Sequence, residues 1–206
     1  MITVIDYGMG NLSSVANAVK KYTTDVRISS EPGGIETADK IILPGVGAFK
    51  SAYEELDGRG LIEPILNFIK ANKPFLGLCL GLQLLFTKSY EGGEHKGLGI
   101  IEGEVAAFPN SKGLKVPHMG WNGITQSARC KAGGHPLFKG VADGAYMYFV
   151  HSYYVMPKDK SVIATTTDYA LTFCSSIWKG NIYAMQFHPE KSQKDGLKII
   201  ENFVRL

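Results

Sequence analysis

Cysteine is scarce in this chain: Cys79, Cys130 and Cys174 are the three among 206 residues. The count is odd and no C-x-x-C pair occurs, which argues against a disulfide framework and a thiolate zinc site. Charge of one sign is scarce too. Lys and Arg number 22 against 19 Asp and Glu, a formal excess of +3 with no basic run, so nucleic acid has no electrostatic footprint to bind. Long apolar runs are missing: the longest, Phe75 to Leu82, falls far short of the ~18 residues of a membrane span. The opening Met1-Ile2-Thr3-Val4-Ile5-Asp6 has no basic n-region and no cleavage site, so no signal peptide is expected. There is no repeat and no low-complexity tract, and no histidine pair has the neighbours of a metal site, so neither metal nor cofactor is expected. With 45% hydrophobic and 20% charged residues, one soluble, cytoplasmic domain over 1–206 is the expectation.

What is present gathers around Pro74-Phe75-Leu76-Gly77-Leu78-Cys79-Leu80-Gly81-Leu82-Gln83-Leu84-Leu85-Phe86. An apolar strand, a sharp turn at Cys79 and an apolar helix are predicted in that order. Gly77 and Gly81 stand two residues to either side of the cysteine, the G-x-[Ser/Cys]-x-G spacing of a nucleophile elbow. Small residues let strand and helix close on a strained turn, which lifts the side chain above the sheet at a helix N-terminus. The N–H groups and positive dipole end there favour thiolate over thiol, and the Leu80 N–H would point at a forming oxyanion. A buried, inert cysteine between core elements fits the same residues, so the rest of the chain must decide.

Along the chain, Ile2–Ile5 reads as a strand, and Asn11 or Ser13 as the cap of a helix running to about Lys21. Gly8-Met9-Gly10 between them lacks the third glycine of a dinucleotide fingerprint and reads as a plain turn. Strands follow at Val26–Ile28 and Lys40–Leu43, the latter apolar throughout and so central and parallel. Pro44-Gly45-Val46-Gly47 then brings backbone N–H groups where a ligand could approach them closely. Helices are predicted over 48–57 and 61–71, then the elbow. Strand and helix alternating in this way imply a parallel α/β sheet, whose sites lie beyond the strand carboxyl ends. From Gly99 the pattern changes to strand after strand, at 100–108, 114–118, 145–155, 161–167, 171–178 and 181–187, with a loop over 126–141 and a helix over about 191–204. This half is expected to finish the sheet and add an antiparallel layer.

Of the five histidines, His188 stands just past the strand Ile182–Phe187, and Pro189 holds it in fixed relation to Glu190. That suits a carboxylate orienting one imidazole nitrogen while the other faces a thiol. His95, His118, His135 and His151 have no acid at comparable spacing and read as satisfied or solvated. Taken together, Pro44–Gly47, Gly77–Gln83 and Gln186-Phe187-His188-Pro189-Glu190 resemble the class I (triad) glutamine amidotransferases, in order and spacing along nearly the whole chain. Asp6–Leu12, Pro117-His118-Met119-Gly120-Trp121-Asn122 and Tyr148–Tyr153 narrow the resemblance to the branch serving imidazole glycerol phosphate synthase. Leu78 and Leu82 replace the branch's more usual Ile and Met with residues of similar volume.

The resemblance implies a flavodoxin-like sheet and a glutaminase with Cys79 as nucleophile, His188 as base and Glu190 as its orienting acid. It implies an oxyanion hole from Leu80 and the Gly45-Val46 stretch. Substrate contacts would come from Gly47, Gln83, Glu91, Ser152 and Tyr153, with Glu91 facing the α-ammonium. The implied partner is a (β/α)8-barrel cyclase of histidine biosynthesis in a heterodimer, met at Met9, Asn11, Trp121, Tyr148 and Lys191. Trp121 packed in the β-rich half is the other reading of that residue. Two alternatives stand beside the main one: a glutaminase subunit of anthranilate, aminodeoxychorismate or pyridoxal phosphate synthesis, and a non-catalytic protein of the same fold.

Overall fold

The computed structural model describes residues 1–109 and 115–206. Strands β1 (Ile2–Ile5), β2 (Val26–Ser29), β3 (Lys40–Leu43) and β4 (Phe75–Leu78) alternate with helices α1 (Leu12–Lys20), α2 (Pro32–Glu36), α3 (Phe49–Gly58) and α4 (Ile62–Lys70). The elbow helix α5 (Leu80–Gln83) is a single turn, after which β5 (Phe86–Ser89) begins. The expected apolar helix is therefore cut short: Leu84 and Leu85 carry the chain straight into a strand.

The second half supplies β6 (His95–Lys96), β7 (Ile101–Ala107), β8 (His118–Gly123), β9 (Thr125–Gln126), β10 (Tyr146–His151), β11 (Tyr153–Pro157), β12 (Ile163–Tyr169), β13 (Leu171–Lys179), β14 (Ile182–Met185) and α6 (Gln193–Val204). The strand predicted at 114–118 begins at a position outside the described residues, and pairing starts only at His118. The strand predicted over 145–155 is two: β10 pairs with β8 in a separate ribbon, while β11 enters the large sheet. That sheet runs β2-β1-β3-β4-β14-β13-β11-β7-β5-β6, with β12 and β9 joined to β13. Its β2-to-β14 side is parallel, and β14 meets β13 antiparallel.

Period-two alternation along the parallel strands makes two cores, one on each face. Val4, Ile42, Leu76 and Met185 point to the face covered by α1 and α6, with Val15, Val19, Ile199 and Phe203. Ile5, Ile41, Leu43 and Phe75 point to the other, against Ile35, Phe49, Leu56 and Ile65 of α2, α3 and α4. No helix of the described residues is long and apolar enough to cross a membrane.

Candidate active site

Cys79 ends β4 with φ +53° and ψ −106°, a backbone that costs a non-glycine residue ~1–3 kcal/mol. The strain is held by packing on both sides. A Cβ on Gly81 would lie 2.0 Å from the Leu43 carbonyl oxygen, and one on Gly77 2.8 Å from that of Gly81. Strand and turn can close only because both are glycine. The Cys79 N–H donates to the Met185 carbonyl (2.8 Å), which fastens the elbow to β14. Its sulfur accepts from Gln186 Nε2 at 3.5 Å and lies 3.9 Å from the Val150 carbonyl.

Parallel pairing of Leu78 with Met185 places the ends of β4 and β14 side by side, so His188 emerges next to Cys79. His188 Nδ1 meets Glu190 Oε1 at 2.8 Å, and both side chains are nearly inaccessible to solvent. Nε2 makes no hydrogen bond of good geometry, which leaves it to the Cys79 sulfur. Burial works against the imidazolium, yet the Cys79 sulfur and the Glu190 carboxylate outweigh it and raise the His188 pKa to about 10. The main chain is clamped as well: His188 N–H donates to the Tyr148 carbonyl (2.9 Å), and Ser192 Oγ to the His188 carbonyl (2.6 Å).

A cavity of about 290 Å³ opens beside the sulfur, lined by Val46, Gly47, Leu80, Gln83, Glu91, Ser152 and Tyr153, with Pro117, Val150 and His151. Gln83 Nε2 donates to the Tyr153 carbonyl (3.2 Å) and to Gln186 Oε1 (3.0 Å). Glu91 Oε2 accepts from the Phe49 N–H (2.8 Å) and so caps α3 from a distant loop. The Leu80 N–H is directed at the Gly45 carbonyl, 3.4 Å away. Because a trans peptide sets C=O and N–H on opposite sides, the Val46 N–H then points away from Leu80. Gly45 is wedged in place, since a Cβ there would meet Tyr7 Oη at 2.4 Å and Leu80 Cβ at 2.8 Å.

Trp121 and Tyr148 are cross-strand partners on the β8–β10 ribbon, their rings 6.1 Å apart. Lys191 Nζ lies 5.8 Å from the Tyr148 ring, and Trp121 is 46% exposed rather than packed in the β-rich half. Asn11 Oδ1 caps α1 through the Ser14 N–H (3.1 Å), and Met9 borders Gly47, whose added Cβ would lie 2.6 Å from Met9 Cε. Sequence reasoning passed over Val150, Pro117 and His151 at the cavity, and Gln186 at the Cys79 sulfur. Gln186 carried a usable signal, since it precedes His188 by two residues at a strand end and so shares its side.

A family model described as glutamine amidotransferase class-I matches residues 3–206. Among curated proteins the chain is similar to the imidazole glycerol phosphate synthase subunit HisH of Syntrophotalea carbinolica, 50% identical over 208 residues covering 98% of each. The HisH subunit of Aquifex aeolicus is 50% identical over 209 residues, covering 98% of this chain and 95% of that one. Among solved structures, a glutamine amidotransferase superposes over the whole of both chains with a TM-score of 0.75 at 14% identity. The PurLQS structure from Thermotoga maritima gives 0.75 at 15% identity, covering 99% of this chain and 97% of that one.

Proposed function

The chain belongs to the glutamine amidotransferase class-I family, and from that premise we propose that Cys79, His188 and Glu190 are the triad with which it releases ammonia from glutamine. It is a glutaminase of the imidazole glycerol phosphate synthase type, serving histidine biosynthesis. The observation that carries the assignment is the junction of β4 and β14, which sets a strained Cys79 beside a His188 already bonded to a buried carboxylate.

In the reaction the Cys79 sulfur attacks the side-chain amide carbon, and His188 takes the thiol proton. The tetrahedral intermediate collapses as His188 returns that proton to the departing ammonia, leaving a γ-glutamyl thioester. His188 then removes a proton from water, whose oxygen attacks the thioester and frees glutamate and Cys79. Glu190 keeps the imidazole in the right orientation throughout. Glu91, Gln83 and the Ser152–Tyr153 backbone hold the α-amino acid end. The oxyanion is bound by Leu80 N–H once the Gly45 carbonyl turns out, a rotation of one peptide that would swing the Val46 N–H in beside it.

Ammonia left in water at neutral pH becomes ammonium, which is no nucleophile. The relatives at 50% identity are named as subunits of imidazole glycerol phosphate synthase, which supports passage of the product to a (β/α)8-barrel cyclase subunit. The exposed Trp121, with Tyr148 and Lys191 beside it and Met9 and Asn11 nearer the oxyanion loop, suits that contact. Cys79→Ala or Cys79→Ser is expected to abolish glutamine-dependent synthesis by the complex while sparing synthesis from ammonium salt at high pH. Loss of both activities in a complex that still assembles would refute this division of labour.

A further inference from the structure

Behind the cavity, two histidines 33 positions apart in sequence stand opposite each other at one end of the ribbon, as register partners of β8 and β10. His118 Nδ1 and His151 Nε2 are 3.0 Å apart, and His151 Nδ1 lies 2.8 Å from the Tyr153 carbonyl. That carbonyl also accepts from Gln83. At the other end His118 Nε2 is 3.3 Å from Asn122 Nδ2.

The direction of every bond in this chain is fixed. A carbonyl can only accept, so the proton of His151 sits on Nδ1 and its Nε2 must accept. His118 therefore donates through Nδ1 and accepts through Nε2. Asn122 can supply that last donor only with Nδ2 facing the ring, and this is how it is held: Nδ2 also reaches the Asp168 carbonyl (3.0 Å), and Oδ1 accepts from the Gly123 N–H (2.8 Å). A proton added to either ring would set two donors face to face. Burial pushes His118 down to about 4 and His151 to about 3, so both rings stay neutral. His118 is also stacked between Tyr169 and Phe149, with centroids 3.9 and 4.9 Å away.

We propose that His118 and His151 are a positioning pair for glutamine, an uncharged donor chain that fixes the Ser152–Tyr153 turn and Gln83 against the substrate. The His151 side chain spans the turn at Ser152 by bonding two residues ahead, and the Phe108 N–H, one residue past β7, holds the Ser152 carbonyl at 3.2 Å. The N–H of that same peptide, on Tyr153, is thereby directed away from β7. Without the His151 donor the turn loses its inner tie, and the Tyr153 carbonyl is left to Gln83 alone. The pair touches no reacting atom; its effect falls on binding. This inference rests on the glutaminase reading.

His151→Phe keeps an aromatic ring and removes the donor, whereas His151→Asn offers a carboxamide N–H near the place of Nδ1. Ammonia release is measured on the complex with cyclase and acceptor ligand present. The expected result for His151→Phe is a rise of about tenfold in the KM for glutamine, the size of one hydrogen bond, with kcat changed less than about threefold. His151→Asn is expected to recover most of that loss. Equal KM values for the Phe and Asn variants would overturn the proposal. Should His151→Phe fail to fold, His118→Phe carries the test: it keeps the stack, drops the Nδ1 donor, and should raise KM in the same direction. A separate reading comes from nitrogen-15 NMR of the wild-type chain, in which both rings should show the Nδ1–H tautomer at neutral pH; a proton on His151 Nε2 would overturn it. A wild-type complex that releases no ammonia would sink the glutaminase reading instead, and the tautomers would still decide the pairing.

Discussion

At the scale of single residues, the triad divides its work unequally. His188 handles every proton, while Glu190 meets it through one contact of 2.8 Å and is itself held by the short turn Pro189–Lys191. Glu190→Gln is therefore expected to lower glutaminase activity less than His188→Ala, because part of the ring's orientation survives in the turn and in the clamp from Tyr148 and Ser192. The double variant should be little worse than His188→Ala alone, since groups that act as a unit are not additive. Steady-state ammonia release across the four proteins checks this; additive losses would give Glu190 a separate task. Cys79, His188 and Glu190 were legible in the sequence because elbow spacing and a proline-fixed dipeptide are local signals. The His118–His151 contact was not. It depends on the register of two strands joined by a long loop, and nothing near either histidine in sequence announces the other.

Among the elements, legibility followed the strength of the local period. The parallel strands and α1, α3, α4 and α6 fell close to where apolar spacing put them. Helix α2 begins Pro32-Gly33-Gly34, which has no periodic face and reads as a turn. The stretch Leu80–Phe86 is apolar at almost every position, so period could not tell helix from strand. The elbow's tight closure makes a sharp expectation. Gly81→Ala would drive a methyl into the Leu43 carbonyl and should destabilise the fold by about 2 kcal/mol or more, read from urea denaturation. An unchanged midpoint would mean that α5 can lift from β3 without cost. The loop Pro44–Gly47 makes another. With the Gly45 carbonyl covering the Leu80 N–H, the free chain should be a poor glutaminase, slower by roughly 10²–10³ than the complex with acceptor ligand, the size of one oxyanion donor. Equal ammonia release by the free chain, the complex and the liganded complex would rule this out.

For the molecule as a whole, buried neutral histidines set the acid limit. His118, His135 and His151 are held at about 4, about 3 and about 3, chiefly by burial. Each lies below the ~6.5 of a free imidazole, so below that pH the unfolded chain binds more protons than the folded one. The stability these three contribute should be complete above pH ~6.5 and fall as pH drops toward 4. His135 is far from the triad in sequence and accepts from the Leu137 N–H through Nδ1 (3.1 Å), a role that an Asn oxygen can take over. His135→Asn should flatten the acid limb of stability measured by denaturant titration between pH 7.5 and 4.5; an unaltered slope would exclude His135 as a source.

The place of β14 has a consequence for a chain still on the ribosome. It is the last strand made, yet it lies between β4 and β13 and pairs in parallel with a strand more than a hundred residues behind it. Until Ile182–Met185 emerges, β4 is an open edge and the peptide of Cys79 has no Met185 carbonyl to hold it. The base and its acid come later still, at His188 and Glu190. A nascent chain therefore carries its thiol through more than a hundred further residues without the partner that would make it react. Chemistry and closure of the sheet arrive together, more than a hundred residues after the thiol.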